Sequence, residues 1–235
     1  MATRRTRCGR LTVRLLRCGV VAGPLFVSTF LAAGAARPDY DPLRHPVSGL
    51  ALGPGGWMQV ANFLVAGVLC GAAAVGLARA PLGVRTRIGP VLVGAVGVGL
   101  LGSGAFLTDP VSGYPPGTPD MLLEYSSVET ALHDLFAVPV FLGLPAAALA
   151  YGRAFRRAGE RGWAVYSAAT GLAMIPAFVL ASAGFAQVPA LVATGGLFQR
   201  LTIGIGLAWL TALCVRALLR AAPVEVGSSG QVEVG

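Results

Sequence analysis

The chain has little charge and no lysine. Only 12% of its 235 residues are charged, whereas soluble domains usually carry ~25%. Apolar residues make up 55% of the sequence. This balance excludes an ordinary soluble domain, because too few charged side chains remain to cover its surface.

Histidine and cysteine are scarce as well. The two histidines are His45 and His133, so a zinc site with three histidine ligands is excluded. The cysteines are Cys8, Cys18, Cys70 and Cys214. They show no metal-ligand spacing, and we expect them to pack as small apolar residues. The phosphate-binding loop, the dinucleotide fingerprint and the HExxH motif are all absent.

What the chain does contain is six apolar stretches, each about as long as the ~20 residues that a helix needs to cross a bilayer. They are Leu11–Ala36, Met58–Ala78, Ile88–Leu107, Thr130–Tyr151, Trp163–Ala183 and Phe198–Leu219. We therefore predict an all-α fold, a transmembrane bundle of six helices over residues 11–219. An arginine-rich tail, 1–10, would precede it and a disordered tail, 220–235, would follow. The first stretch is longer than the ~7–15 apolar residues of a signal peptide, so we expect it to be retained.

The arginines predict how the helices are threaded. Only Arg37, Arg44 and Arg200 lie on one side of the six stretches, and the other fifteen arginines lie on the opposite side. Cytoplasmic loops carry the arginine and lysine excess, which places both termini in the cytoplasm. The same loops would contact anionic lipid headgroups. A nucleic-acid partner is not expected, since no soluble basic face exists.

Two further features concern location and packing. The use of arginine without lysine is typical of a GC-rich genome and indicates a bacterial plasma-membrane protein. Small residues recur every four positions in the third, fifth and sixth stretches, as in Ala95, Gly99 and Ser103. Such faces let helix backbones approach closely. Packing within one chain is the main interpretation, and a homodimer through one such face is the alternative.

Most of the polar residues that chemistry would need collect on the outer side. Candidate catalytic residues are His45, Ser48, Asp109, His133 and Asp134, and candidate substrate-binding residues are Arg44, Asn62 and Arg200. Asp109, His133 and Asp134 are also candidate metal ligands, with zinc as the metal if there is one; no other cofactor is predicted. Asn62 is expected to bond a neighbouring helix. We further expect Asp109 and His133 to face each other at the outer ends of helices three and four.

Three interpretations of this outer cluster remain open. In the first it is structural: Asp109 and Asp134 pair with Arg44 or Arg200 and hold the outer loops over the bundle, and His133 bonds a loop carbonyl. In the second it is a pocket for a small molecule or ion, in a transporter or sensor. In the third it is the site of a metal- or histidine-dependent lipid hydrolase, in which a histidine activates Ser48 or water. Of these, we favour a role other than that of an enzyme.

Three segments carry a family resemblance: YDPLRHPVSGLALGPGGWMQVANFLVAG, TDPVSGYPPGTP and LHDLFAVPVFLGLP. They resemble the bacterial membrane family called domain of unknown function 998, over about Leu15 to Leu219. The resemblance implies a six-helix multi-pass membrane protein. It carries no established catalytic residues over to this chain, so the outward-facing site of carboxylates and histidines is predicted without an assigned role.

Overall fold

The computed structural model describes residues 9–120 and 127–221, and the fold within them is a bundle of six helices. The helices are α1 Arg10–Ala35, α2 Trp57–Arg79, α3 Ile88–Ala105, α4 Val128–Arg157, α5 Arg161–Phe185 and α6 Gly195–Ala221. A short 3₁₀ helix, Val47–Ala51, lies between α1 and α2. Each of the six is long and apolar enough to cross a membrane. The predicted all-α transmembrane bundle is confirmed. Most of the predicted N-terminal and C-terminal tails lies outside the described residues.

The helix boundaries agree with the predicted spans to within one to three residues, except at the end of α4. That helix was expected to stop at Tyr151 but continues to Arg157. The apolar pattern marks where the chain leaves the membrane, whereas arginine is a good helix former and lets the helix run on. Gly159 ends it, with φ at +77°, the left-handed conformation that glycine adopts readily after a helix.

The six helices form a closed ring. Each packs mainly against its neighbours in sequence, and α6 returns to pack against α1, while contacts across the ring are few. Two faces result. The loop face carries residues 36–56, 106–120 and 186–194. The arginine face carries residues 80–87 and 158–160, together with the N-terminal end of α1 and the C-terminal end of α6.

Glycine allows close backbone approach at every interface of this ring. In order from the α1–α2 interface to the α6–α1 interface, such residues are Gly76, Gly97, Gly99, Gly171, Gly184 and Gly23. At each, an added Cβ would come within about 3 Å of backbone atoms of the neighbouring segment. Close contact between backbones is a main source of helix association in membranes.

One ion cluster joins the α4–α5 turn to α6 on the arginine face. The Glu160 carboxylate accepts a hydrogen bond from Arg220 Nη2 at 2.5 Å and lies 3.0 Å from Arg216 Nη2. The hydrogen bond from Arg220 and the neighbouring charge of Arg216 lower the pKa of Glu160. Arg216 Cζ also lies over the rings of Phe155 and Trp163, 4.9 and 4.8 Å from their centroids.

Replacing Gly97 by alanine tests the glycine contacts. Its Cβ would lie 2.8 Å from Gly71 N and 2.9 Å from Gly67 O, and such overpacking costs about 1–3 kcal/mol. We expect a lower thermal unfolding midpoint in detergent. Gly94→Ala on the same helix is the control, because its Cβ would make an ordinary 3.6 Å contact with Ala74. Equal midpoints for the two variants would show that the α2–α3 backbones do not depend on this contact.

Candidate ligand cavity and its loop cover

A cavity of about 730 Å³ occupies the half of the ring nearer the loop face. All six helices and the 3₁₀ helix contribute to its wall. Its volume lies in the range of small-molecule sites, roughly 300–1,000 Å³. The cavity is therefore large enough to hold a ligand inside the bundle.

On the helices that run inward from the loop face, the wall changes from polar to apolar. On α4 the wall includes His133 near the loop face and Leu144 eleven residues deeper, a distance of about 16 Å at 1.5 Å per residue. On α6 it begins with Gln199 and ends at Leu207. Polar groups thus lie at the entrance level and hydrocarbon groups lie towards the middle of the membrane.

The helices that run outward show the same order in reverse. On α3, Val96 lies deep and Ser103 lies near the loop face. On α5, Met174 lies deep and Ser182 lies near the loop face. The two sets of helices run in opposite directions. The change from polar to apolar wall residues therefore follows depth in the cavity and not a repeat in the sequence. The cavity is amphipathic, with one polar end and one apolar end.

Aromatic side chains fill the ring beyond the apolar end. Trp209 and Tyr151 are almost fully buried, with ring centroids 5.8 Å apart. They follow Leu207 and Leu144, the deepest lining residues of α6 and α4. Trp209 Nε1 donates a hydrogen bond to Ser167 Oγ of α5 at 3.0 Å. The cavity is closed at this level, on the side of the arginine face.

Four exposed residues of the wall indicate that the cavity opens sideways between α4 and α5. Asp134 and Val138 of α4, and Ser182 and Ala186 of α5, line the cavity and are also exposed on the surface of the bundle. Farther from the loop face the same two helices are close, since a Cβ on Gly171 would lie 2.9 Å from Pro145 O. Because both helices are membrane-spanning, this opening faces lipid.

His133 is held at the polar end by its backbone contact. Its Nδ1 lies 2.9 Å from the carbonyl oxygen of Phe106. A carbonyl only accepts, so Nδ1 carries a proton; when the ring is neutral, Nε2 is an acceptor. The predicted bond from His133 to a loop carbonyl is confirmed. The imidazole is thereby fixed in one orientation and one tautomer.

Several other polar groups of the wall have no hydrogen bond within the described residues. The Ser103 hydroxyl is one, although Ser103 is only 3% exposed. Gln199 is 8% exposed; its Oε1 accepts from Val47 N at 2.7 Å, and its Nε2 has no partner among those residues. The hydroxyl of half-buried Ser48 also has no hydrogen-bond partner among the described residues. Buried polar groups are usually hydrogen-bonded, so Ser103 and Gln199 offer unused hydrogen-bonding groups to a polar ligand.

Asp109 and Asp134 are the carboxylates among the described residues of the wall, and neither is without an interaction partner. Asp109 and His133 line one cavity, and their direct pairing stays a prediction. Within the described residues no three His, Cys, Asp or Glu side chains are grouped so that they could hold a metal ion. The zinc prediction for Asp109, His133 and Asp134 therefore gains no support from the geometry.

The loop face is covered by two loops that are tied together. Arg44 Nη2 pairs with Asp120 Oδ1 at 2.6 Å, and Arg44 Nε donates to Ser112 O at 3.0 Å. Arg37 Nη1 donates to Tyr114 Oη at 2.7 Å. Arginine does tie the two loops together, whereas the predicted pairing of Asp109 and Asp134 with Arg44 or Arg200 stays a prediction. The carboxylate bound to Arg44 is that of Asp120, which we did not single out from the sequence.

Arg200 ties the first loop to α6. Its Nη1 donates to His45 O at 2.9 Å and to Gly196 O at 3.0 Å, and its Nη2 contacts the Tyr40 hydroxyl. Tyr40 donates in turn to Pro46 O at 3.0 Å. Burial raises the pKa of Tyr40 to about 12, although Arg200 opposes the shift. Arg200 therefore stabilises the loop and does not line the cavity.

The candidates divide between two places. Ser48, Asp109, His133 and Asp134 line the cavity, whereas Arg44, His45 and Arg200 belong to the loop cover. Asn62 belongs to neither, because its Nδ2 donates to Phe26 O of α1 at 3.1 Å. That bond confirms the predicted contact with a neighbouring helix. The sequence gives no reason to separate the two histidines, since both fall at the same membrane side.

The comparison with known proteins places the chain in a family. Residues 20–216 match the family described as protein of unknown function, DUF998. The chain belongs to this family. No curated protein and no solved structure matches the chain. The family confirms the resemblance found in the sequence, and the role of the cavity has to be argued from its own chemistry.

His45 is buried as a neutral ring, and this gives the loop cover a dependence on pH. Its Nδ1 accepts a hydrogen bond from Asp41 N–H at 2.9 Å. Burial lowers its pKa from 6.5; nearby Arg44 and Arg200 act in the same direction, while Asp41 and a bond to the Ser112 backbone oppose the shift. Protonation of Nδ1 would break the bond to Asp41.

We expect the free energy of unfolding to decrease as the pH falls below the ordinary histidine value. The unfolded chain then binds a proton that the folded loop excludes. The stabilisation is complete above pH 6.5 and is lost on the way down to the lowered pKa. Thermal unfolding of wild type and His45→Asn across this range measures the effect. The same acid sensitivity in both proteins would assign it to another group.

Proposed function

We propose that the protein is a bacterial plasma-membrane protein that binds an amphiphilic molecule drawn from the bilayer. The supporting observation is the amphipathic cavity, whose polar end lies at one membrane face and whose apolar end lies at mid-membrane. A polar headgroup would lie beside Ser48, Asp109, His133 and Asp134. Its hydrocarbon chain would extend towards Leu144 and the other deep apolar side chains.

The arginine distribution supports the orientation. Fifteen arginines lie on the arginine face or in the tail that precedes α1. By the positive-inside rule that face is cytoplasmic, which puts both termini in the cytoplasm and the polar end of the cavity on the outer side. The cytoplasmic arginines would bind anionic headgroups.

A homodimer would use the surfaces of α5 and α6 that expose small residues, such as Ala173 and Ala208.

The lateral opening favours a membrane ligand over a water-soluble one. A hydrocarbon chain gains little by moving from lipid into an apolar cavity, because both surroundings are equally apolar. Binding energy would therefore come from the polar end, where hydrogen bonds form in a low-dielectric environment. A ligand that is mostly chain with a compact polar head suits these conditions.

Filling the cavity tests this proposal. Ala137 lines the cavity on α4, and Ala137→Trp would place an indole where the chain is expected to lie. We expect saturable binding of oleyl alcohol, measured by native mass spectrometry after release from lipid nanodiscs, to be lost. Ala173→Trp is the matched control, because Ala173 is exposed and does not line the cavity. Undiminished binding by folded Ala137→Trp would contradict the proposal.

A second candidate function is a histidine-dependent lipid hydrolase. The observation that favours it is the fixed imidazole of His133, whose Nε2 is an acceptor within a cavity that also contains the Ser48 hydroxyl. Such a histidine can take a proton from a serine or a water that attacks an ester carbonyl. The carboxylates of Asp109 and Asp134 would stabilise the imidazolium ion that forms.

Turnover separates this candidate from simple binding. Purified protein in nanodiscs is incubated with a fluorogenic single-chain ester, and release of the fluorophore is followed. A hydrolase would lose about 10²–10⁴-fold in rate on His133→Gln, with binding of the uncleaved ester retained. His45→Gln is the control, since His45 lies in the loop cover. Absence of turnover in wild type would leave binding as the function.

A further inference from the structure

We infer that the ligand of this cavity carries a cationic, amine-bearing headgroup. The inference rests on the proposed function and names its ligand class. It depends on the sign of the charges in the wall, on the engagement of every nearby arginine, and on unpartnered acceptors at the polar end.

Among the described residues, the ionisable ones of the wall are Asp109, His133 and Asp134. Two of them are carboxylates, and no arginine of the described residues lines the cavity. The chain has no lysine, so no ammonium group from the protein can enter it. An anionic headgroup placed here would meet two like charges and be repelled by them.

The arginines of the loop face are held in other contacts. Arg37 donates to Tyr114 Oη and Leu52 O, Arg44 binds Asp120 and Ser112 O, and Arg200 donates to two carbonyls and contacts Tyr40. Moving any of them towards the cavity would break these bonds and open the loop cover. The negative character of the polar end is therefore built into the fold.

Hydrogen-bonding groups at the polar end of the cavity that have no partner among the described residues also suit an ammonium group. An ammonium group has three hydrogen-bond donors and no acceptor. The hydroxyls of Ser48 and Ser103 accept, and Ser103 is only 3% exposed. Nε2 of His133 also accepts when the ring is neutral. The Nε2 amide of Gln199 is a donor and suits a hydroxyl beside the amine. These groups and two carboxylates surround one end of a cavity that otherwise fits a hydrocarbon chain.

The test uses three probes with the same chain and different headgroups: oleylamine, oleyl alcohol and oleyl sulfate. Binding is measured by native mass spectrometry at neutral pH, with protein in nanodiscs of zwitterionic phosphatidylcholine and empty nanodiscs as the reference for partitioning. We expect oleylamine to bind at least about tenfold more tightly than oleyl sulfate. The double variant Asp109→Asn, Asp134→Asn should lose most of that difference.

Glu129→Gln serves as the charge control, because Glu129 lies in the first turn of α4 and does not line the cavity. It should keep the preference for oleylamine. Equal binding of amine and sulfate, or a preference for sulfate, would overturn the inference while leaving the binding function intact. Failure of all three probes, including the uncharged alcohol, would overturn the proposed function as well. A preference unchanged in the double variant would assign it to other residues.

Discussion

Close backbone contact at glycine holds the ring of helices together, and the cavity depends on it. Each interface contains a glycine where a Cβ would press on backbone atoms. A closed ring of six helices leaves a space along its central axis, and only side chains can fill that space. Trp209 and Tyr151 fill it on one half. On the other half the inward-facing side chains leave about 730 Å³ empty of protein.

The loop cover explains why the polar end can keep its charges. Arg37, Arg44 and Arg200 satisfy loop carbonyls, a carboxylate and tyrosine hydroxyls above the ring. Those contacts fix the loops at the end of the bundle and keep cationic side chains out of the wall. The cavity therefore retains an acidic polar end although the chain as a whole has a net charge of +8.

Much of the fold follows from the sequence, because a bilayer requires each crossing helix to satisfy its own backbone and to show an apolar surface. Apolar length alone found all six helices, and it failed at Arg157, where the helix continues beyond the membrane. The site was only partly predictable. Ser48, Asp109, His133 and Asp134 could be named from their position at one membrane side, as could their neighbour His45.

What the sequence could not give was the depth and direction of these side chains. His133 faces the cavity and His45 faces the loop cover, yet nothing in the sequence around either histidine predicts its orientation. Ser103 was interpreted as a packing residue because it continues a small-residue repeat. Gln199 was overlooked beside the more conspicuous Arg200, although an uncharged amide early in an apolar helix is itself a sign of a polar contact.

Because the opening between α4 and α5 faces lipid, the occupancy of the cavity depends on the ligand concentration within the bilayer. A molecule entering there travels within the membrane plane, so occupancy depends on its mole fraction among the lipids and not on its amount in water. Even modest affinity would suffice for an amphiphile that the bilayer already concentrates. Exchange would also be limited by two-dimensional encounter within the bilayer.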